Sequence, residues 1–278
     1  MSAPSVSVVL PALNEEATVA GVVAAVAGHR DSGLVHEIVV VDPQSADRTA
    51  ERAAAAGARV LDWRDAPGCG PTRPGKGEAL WRGVAATTGD IVVFLDADVR
   101  DPDPGWVPAL VAPLLETWAD PEPVRLVKGR YRRDLPGDVG GGRVTELTAR
   151  PLLAAFRPEL AGIAQPLSGE YAARRDTLEQ LPFAAGYGVE IGLLIDVADR
   201  YGAGAIAEAE LGARRHRNRP LAELAPMARQ VAAAALRRVG VPAAVELDGA
   251  LGPDRPPPAL LRGLAGPGAA RRPGERRR

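Results

Sequence analysis

Apolar and polar residues follow one another in a regular order along the first half of the chain. Short apolar, β-branched runs are bounded by Gly, Pro, Asp or Asn, as buried strands are. Between these runs, apolar residues recur at spacings of three and four, the period of an amphipathic helix. The predicted strands are residues 6–10, 38–41, 59–61 and 91–95. This alternation predicts an α/β fold with a Rossmann-like, mostly parallel sheet flanked by helices.

The second half of the chain is predicted to be richer in helix. Helices are predicted over residues 106–118, from 144 onward with the apolar residues Val144, Leu147, Leu152 and Leu153, from 189 onward, and over 221–239. A strand is predicted at 124–131, and a short strand or turn at 168–171. The loop 134–142 interrupts the alternation of strands and helices, so we place a boundary between two halves of the protein between residues 133 and 134. Residues 241–278, which include Asp254-Arg255-Pro256-Pro257-Pro258, are rich in Pro and Arg and are predicted to be a disordered tail.

Composition narrows the possible environments and partners. A formal net charge of −1 over 278 residues gives no reason to expect nucleic-acid binding. The single cysteine, Cys69, cannot form an intramolecular disulfide. No apolar stretch approaches the roughly 18–20 residues that span a bilayer, and no signal-peptide pattern precedes the first strand. We therefore expect a cytoplasmic protein without a membrane span.

Two carboxylates, Asp96 and Asp98, directly follow the apolar strand 91–95. The two-residue period of extended chain points both to the same side. In open α/β sheets, ligands bind at the edge where parallel strands end. A Mg²⁺ or Mn²⁺ ion held there by few protein oxygens takes its other ligands from a diphosphate. The pattern predicts such a metal site, with ordinary turn or helix-capping acids as the alternative.

Polar residues also follow the first two strands. Asn14 and Glu15 come after the first, and Asp42 and Ser45 come after the second. The same edge argument places them near a ligand. Equally, Asn14 could cap the next helix with Glu15 in its first turn, and Ser45 or Asp47 could cap the one after.

Two glycine-containing helix starts could bind anions. Gly75-Lys76-Gly77 offers backbone N–H groups and an ammonium, although the spacing of a Walker motif is absent. The run from Gly140 through Gly142, Arg143 and Thr145 offers N–H groups, a guanidinium and a hydroxyl, which suit a phosphate or a carboxylate. The alternatives are an ordinary helix start and a flexible linker with a solvated Arg.

Two further polar positions lie in the second half. Glu190 opens a helix and could either hydrogen bond at the edge of the core or complement the helix dipole. The stretch Arg214-Arg215-His216-Arg217-Asn218-Arg219-Pro220 could be a solvated basic loop or could bind an acidic substrate.

Together these motifs resemble the glycosyltransferases of the GT-A fold. The general resemblance rests on Leu10-Pro11-Ala12-Leu13-Asn14-Glu15-Glu16, on Asp42 with Ser45 and Asp47, and on Asp96-Ala97-Asp98. A more specific resemblance, to the glucosyl-3-phosphoglycerate synthases of actinobacteria, rests on the longer motifs at residues 73–81, 141–147, 186–192 and 216–221. The similarity covers residues 5–240.

The resemblance implies a reaction and an organisation. The implied reaction is a retaining transfer of glucose from UDP-glucose to D-3-phosphoglycerate, with Mg²⁺ or Mn²⁺ on the diphosphate. Residues 1–133 would form the nucleotide-sugar-binding half of a GT-A fold, and residues 134–240 a smaller acceptor-binding half. The family also implies a homodimer.

The resemblance further assigns site residues by their positions in the matching motifs. The implied donor-binding residues are Pro11, Ala12, Leu13, Asn14, Glu15, Ser45, Lys76, Asp96 and Ala97. The implied acceptor-binding residues are Gly142, Arg143, Thr145, Tyr187, Glu190, Arg214 and Asn218. The implied metal ligands are Asp98 and His216, and the implied catalytic residues are Asp98, Glu190 and Lys76.

Two departures from the family pattern concern the donor. Asp42-Pro43-Gln44-Ser45 stands where the family has a Ser-Gly-Ser arrangement, and Ala97 stands where a Ser is common. Mannosyl transfer or a GDP-linked donor therefore remains an alternative. A lipid-phosphate glycosyltransferase that uses the basic tail as a surface anchor is a second alternative, and a non-enzymatic nucleotide-sugar-binding module is a third.

Overall fold

One seven-stranded sheet organises the computed structural model, which describes residues 3–132, 142–213, 221–241 and 252–264. The strand order is β3-β2-β1-β4-β6-β5-β7. The strands are β1 (Val6–Pro11), β2 (Glu37–Asp42), β3 (Arg59–Asp62), β4 (Ile91–Phe94), β5 (Leu126–Arg132), β6 (Tyr171–Arg174) and β7 (Ile206–Ala213). Only the two pairs that involve β6 are antiparallel. The predicted mostly parallel α/β sheet is confirmed.

Helices connect and cover the strands in the predicted alternation. They are α1 (Val19–Asp31), α2 (Thr49–Ala55), α3 (Lys76–Ala85), α4 (Trp106–Glu116), α5 (Arg150–Phe156), α6 (Arg175–Leu178), α7 (Val189–Tyr201), α8 (Leu221–Arg238) and α9 (Ala259–Leu264). A π-helical turn, Thr145–Ala149, runs directly into α5. Within the described ranges, no helix is both long and apolar enough to cross a membrane.

Apolar side chains on both faces of the sheet form two core clusters. Successive residues of a strand point to opposite faces, so Val8 and Val93 join one cluster while Val9 and Val92 join the other. Burial of the strands on both faces explains why their sequences are continuously apolar. Both predicted halves of the chain contribute strands to this sheet, and the boundary after residue 133 stays a prediction.

The prediction that Asn14 caps the first helix is wrong. Helix α1 begins five residues later, after Thr18, and has no acidic residue in its first turn. Asn14 instead adopts a left-handed backbone with φ of 57°, and its side-chain oxygen accepts a hydrogen bond from the Ala46 N–H at 2.8 Å. The amide therefore connects two loops at the sheet edge rather than ending a helix.

The predicted helix from residue 144 is present, but its apolar residues are only partly buried. Val144 and Leu153 are buried, whereas Leu147 is 72% exposed. Because the intervening turn is π-helical, its residues do not follow the 3.6-residue period on which the prediction depended.

Part of the segment predicted to be a disordered tail is packed against the protein. Arg255 is buried, it pairs through its backbone with Phe183, and α9 follows directly. The sequence pattern missed this because the contacts depend on charged and carbonyl groups far away in the chain, not on apolar periodicity.

Candidate active site

The polar residues after β1 and β2 interlock at the carboxyl edge of the sheet. The Asn14 N–H donates to Ser45 Oγ at 3.0 Å, and Ser45 Oγ donates in turn to Asp42 Oδ1 at 2.8 Å. The Glu15 N–H donates to Thr49 Oγ1 at 2.8 Å. The sequence-predicted donor residues of these two loops therefore lie side by side and hold each other in place.

The other residues of the first loop differ in exposure. Pro11 ends β1, Ala12 is buried, and Leu13 is 54% exposed. An exposed leucine beside a polar edge offers an apolar surface to a bound ring. The prediction that Ser45 or Asp47 caps α2 is wrong, because the N-cap residue is Arg48. Asp47, one residue earlier, nevertheless accepts a hydrogen bond from the Thr49 N–H at 2.9 Å.

Lys76, Asp96 and Glu190 form an ionic cluster, called here the Lys76 cluster. Lys76 Nζ lies 2.6 Å from Asp96 Oδ1 and 2.6 Å from Glu190 Oε1. Burial opposes the charge on Lys76, but the two carboxylates outweigh it and hold the lysine pKa well above its ordinary value. Lys76 is therefore a fixed cation at the start of α3, where the helix N-terminus adds positive potential.

Three glycines permit the close approach that forms the Lys76 cluster. Gly75 has a φ of 119°, and a Cβ there would lie 2.6 Å from the Gly186 Cα. A Cβ on Gly77 would overlap the Ala184 carbonyl oxygen, and one on Gly169 would overlap the Asp96 carboxylate. The backbone of the turn before α7 therefore packs directly against the start of α3, which brings Glu190 to Lys76.

Asp96 and Asp98 follow β4 as the two-residue period predicted. Ala97 and Val99 are buried in the core, while the two acids are only partly buried. Asp98 supplies a carboxylate at the edge of the sheet, and His216 lies outside the described residues. No group of three metal-ligating side chains occurs in the described part of the chain. A carboxylate at this edge nevertheless fits Mg²⁺ or Mn²⁺, because both cations prefer oxygen ligands.

Those predicted acceptor residues that the structure describes lie on or beside elements that pack around α8. Arg143 is exposed at the start of the helical segment, followed by the buried Thr145 of the π-helical turn. The Tyr187 N–H donates to the Gln230 side chain on α8 at 2.9 Å. Gly142 is partly exposed, and Arg214 and Asn218 lie outside the described residues.

Sequence reasoning missed two groups beside this site, Lys128 and Tyr171. Lys128 on β5 is 1% exposed, and its Nζ donates to the Ser168 carbonyl at 2.8 Å and lies 4.5 Å from the Tyr171 ring centroid. Burial lowers the pKa of Lys128 to about 8 despite the attraction of Glu190. Burial likewise raises the pKa of Tyr171, and Glu190 adds to that effect. A lone lysine inside a predicted apolar strand was the available signal.

Comparison with known proteins agrees with this geometry. Residues 7–130 match the model of glycosyl transferase family 2. Glucosyl-3-phosphoglycerate synthase of Mycobacterium tuberculosis strain H37Rv is 58% identical over 246 residues, which cover 86% of this chain and 74% of that protein. The synthase of Petrotoga mobilis is 43% identical over 242 residues, covering 84% and 73%.

Solved structures of glucosyl-3-phosphoglycerate synthase are also similar to this chain in fold. The M. tuberculosis synthase in complex with Mn²⁺, UDP-glucose and phosphoglyceric acid superposes with a TM-score of 0.83 at 52% identity, covering 93% of this chain and 91% of that one. Its complex with Mn²⁺, UDP and glucosyl-3-phosphoglycerate gives a TM-score of 0.83 at 52% identity, covering 93% and 92%. The protein is thus an enzyme of the GT-A fold that belongs to the glucosyl-3-phosphoglycerate synthase family of glycosyltransferases.

Proposed function

We propose that this enzyme transfers glucose from UDP-glucose to D-3-phosphoglycerate with retention of the anomeric configuration, giving glucosyl-3-phosphoglycerate. The observation that carries the proposal is the Lys76 cluster at the sheet edge. It lies beside the interlocked loops after β1 and β2, in a chain more than half identical to a synthase crystallised with these two substrates. A fixed cation, a carboxylate pair and two interlocked polar loops suit a nucleoside diphosphate sugar.

On the donor side, residues 11–15 and Ser45 would hold the uridine. The loops that carry them are already linked by hydrogen bonds, so little ordering is needed when the nucleotide binds. Lys76 would face the diphosphate and the sugar, held in place by Asp96. Ala97, which the resemblance placed with the donor-binding residues, instead packs its side chain into the core between the two acids. Leu13 would cover one face of the base.

A divalent metal would be held by Asp98 and His216. When bound, Mg²⁺ or Mn²⁺ neutralises the negative charge that develops on the departing diphosphate. Lys76 would act on the same developing charge, because its ammonium stays protonated across the physiological range. Both contributions are strongest where water is excluded, and Lys76 is largely buried.

On the acceptor side, Arg143 at a helix start would bind the phosphate or carboxylate of 3-phosphoglycerate. Gly142, Thr145, Tyr187, Arg214 and Asn218 would complete this anion site. Glu190 would orient the acceptor while it keeps Lys76 in position. In a retaining, same-face reaction the acceptor hydroxyl gives its proton to the leaving phosphate, so no separate protein base is required.

A competition assay tests the proposal. Purified enzyme is mixed with Mg²⁺, 3-phosphoglycerate and equal concentrations of UDP-glucose, GDP-glucose and GDP-mannose, and mass spectrometry identifies the product and the released nucleotide. We expect a hexosyl-phosphoglycerate together with UDP. The same product with GDP would overturn the donor assignment. Nucleotide binding without any hexosyl product would overturn the reaction and favour a lipid acceptor or a binding module.

We also propose that the enzyme works as a cytoplasmic homodimer, as the family resemblance implies. The single buried cysteine is compatible with a reducing compartment. Light scattering coupled to gel filtration should give twice the 29.0 kDa chain mass. A monomeric mass at micromolar concentration would contradict the dimer.

A further inference from the structure

Residues 252–264, called here the strap, lie across the loop 66–75 and the first turn of α3. Arg255 in the strap is 8% exposed, and its guanidinium binds Glu78 through Nε to Oε2 at 2.5 Å and through Nη2 to Oε1 at 2.7 Å. Nη2 also donates to the Pro71 carbonyl at 2.6 Å. One side chain therefore joins the loop before Lys76 to the helix that begins with it.

The backbone of Arg255 reaches a second element of the site. Its N–H donates to the Phe183 carbonyl at 2.8 Å, and its own carbonyl accepts from the Phe183 N–H at 3.0 Å. Phe183 is followed by the turn 184–186, which abuts Gly75 and Gly77, and then by the helix that carries Glu190. Arg255 thus connects α3 to the segment that leads into α7, and these helices carry two of the three side chains of the Lys76 cluster.

Further contacts fix the rest of the strap. Arg73 Nη1 donates to the Pro253 carbonyl at 2.8 Å, and Trp81 Nε1 donates to the Pro256 carbonyl at 2.7 Å. The Arg255 guanidinium lies 4.9 Å from the Trp81 ring centroid. Asp254 accepts a hydrogen bond from Arg238 on α8 at 3.0 Å. The strap is therefore held at several independent points.

Charge balance alone does not explain a buried Arg255. Glu78 is 1% exposed and already has a partner in the fully buried Arg82, whose Nε lies 2.7 Å from Oε1. A second buried guanidinium adds a desolvation cost, because burying a charge is unfavourable unless its hydrogen bonds repay it. The bonds of Arg255 all go to elements that shape the site.

We propose that Arg255 is a positioning residue for glycosyl transfer. It holds the loop 66–75, the start of α3 and the turn 184–186 together, and so sets the contact between Lys76 and Glu190. The inference rests on the proposed function, in which Lys76 meets the donor diphosphate. It adds the strap to the segments of the chain that shape the active site.

The test compares Arg255→Met with Arg255→Lys and with a control, Arg59→Met, in the full-length enzyme. Arg59 pairs with Glu37 where β2 and β3 begin, at the end of the strands opposite the site. Because Arg82 keeps Glu78 paired, Arg255→Met should still fold, which circular dichroism checks. We measure kcat and the donor and acceptor KM for glucosyl transfer, and separately the Kd for UDP by calorimetry.

We expect Arg255→Met to lower kcat/KM for UDP-glucose at least about tenfold and to weaken UDP binding several-fold. Arg255→Lys should recover part of both, and Arg59→Met should match the wild type. A folded Arg255→Met enzyme with unchanged kcat, KM and Kd would overturn the proposal and leave Arg255 with a stabilising role only. Should that variant not fold, Arg255→Lys and Arg73→Met decide by the same criteria.

The two proposals can fail separately. A wild-type enzyme that makes no glucosyl product, with UDP binding still weakened by Arg255→Met, would overturn the reaction and support the positioning role. An active wild type with an unaffected Arg255→Met variant would support the proposed reaction and overturn the positioning role of Arg255.

Discussion

Asp98 is the acidic residue at the end of β4 that does not belong to the Lys76 cluster. Lys76 binds Asp96 at 2.6 Å, so the two carboxylates that the sequence presents as equivalent have different surroundings in the folded protein. Asp96 fixes a lysine, and the proposed metal-binding role falls to Asp98. This difference could not be read from the spacing of the two acids, because the lysine comes from a helix twenty residues earlier.

We predict that Asp98→Asn weakens Mn²⁺ binding and glucosyl transfer while the fold is kept. The amide keeps the shape of the carboxylate but removes the charge that a hard cation requires. Electron paramagnetic resonance of Mn²⁺ in the presence of UDP should show at least about a tenfold loss of affinity. Asp120→Asn, at an exposed position beyond α4, is the matched control. Wild-type Mn²⁺ affinity in Asp98→Asn would remove Asp98 from the metal site.

Lys128 should make stability depend on pH. Its pKa is about 8 in the folded protein because of burial, against 10.5 for an unburied lysine. Between these two values the unfolded chain binds the proton and the folded protein does not, so the folded state becomes more favourable as the pH rises. At pH 7 the charged, buried lysine costs up to about 3 kcal/mol, and this cost disappears by about pH 10.5.

The measurement compares wild type with Lys128→Met by urea denaturation between pH 7 and pH 10.5. Groups far from Lys128 titrate alike in both proteins, so the difference between the two unfolding free energies reports on Lys128 and the groups that it contacts. We expect the free energy of unfolding of the wild type to rise, relative to that of the variant, by up to about 3 kcal/mol over this range. A difference that stays constant with pH would mean that folding does not shift the pKa of Lys128.

At the scale of elements, the packing of helix α3 against the turn 184–186 depends on the absence of side chains. A Cβ on Gly77 would overlap the Ala184 carbonyl, whereas a Cβ on Gly21, in the exposed part of α1, would meet nothing within 4 Å. Both glycines are inside helices, so helix propensity affects them equally. They differ only in what surrounds them.

We predict opposite signs for the two alanine substitutions. Gly77→Ala should destabilise the protein by about 1–3 kcal/mol because helix and turn must separate. Gly21→Ala should stabilise it by about 0.5–1 kcal/mol because alanine loses less backbone entropy on folding. Urea denaturation measures both. Equal effects would show that α3 can shift without cost, which would weaken the account of how Lys76 meets Glu190.

At the scale of the whole molecule, one sheet separates two apolar layers. Trp63 and Trp81 pack in or against one core cluster, and Trp106 and Trp118 pack in or against the other. Because residues of the same strand alternate between the layers, neither layer can unfold while the sheet remains intact. The two layers are therefore expected to unfold together.

Two double variants test this coupling. Trp63→Phe/Trp81→Phe leaves fluorescent reporters in one layer, and Trp106→Phe/Trp118→Phe leaves them in the other. In each variant, fluorescence and far-ultraviolet circular dichroism should give the same denaturant midpoint. Separate midpoints within one variant would show that the layers unfold independently.

The sequence by itself determined the alternation of strands and helices in the first half of the chain and the edge of the sheet at which the predicted site lies. Apolar periodicity reports burial along the chain, and turn residues and carboxylates mark where strands end, so both signals are local. The same local signals predicted the starts of α3 and α7 and the polar loops after β1 and β2. They misassigned Asn14, because its partner Ala46 lies in another loop.

Only the tertiary structure decided which charges meet. The contacts of Lys76 with Asp96 and Glu190 join three elements, and Arg255 reaches Glu78 across 177 residues. No periodicity in a single chain encodes such pairings, since they depend on how strands are ordered in the sheet and how closely glycines let helices approach. For the same reason the strap was predicted to be a disordered tail: Arg255 binds a distant carboxylate and distant carbonyls, and Leu261 joins the core without an apolar periodicity around it.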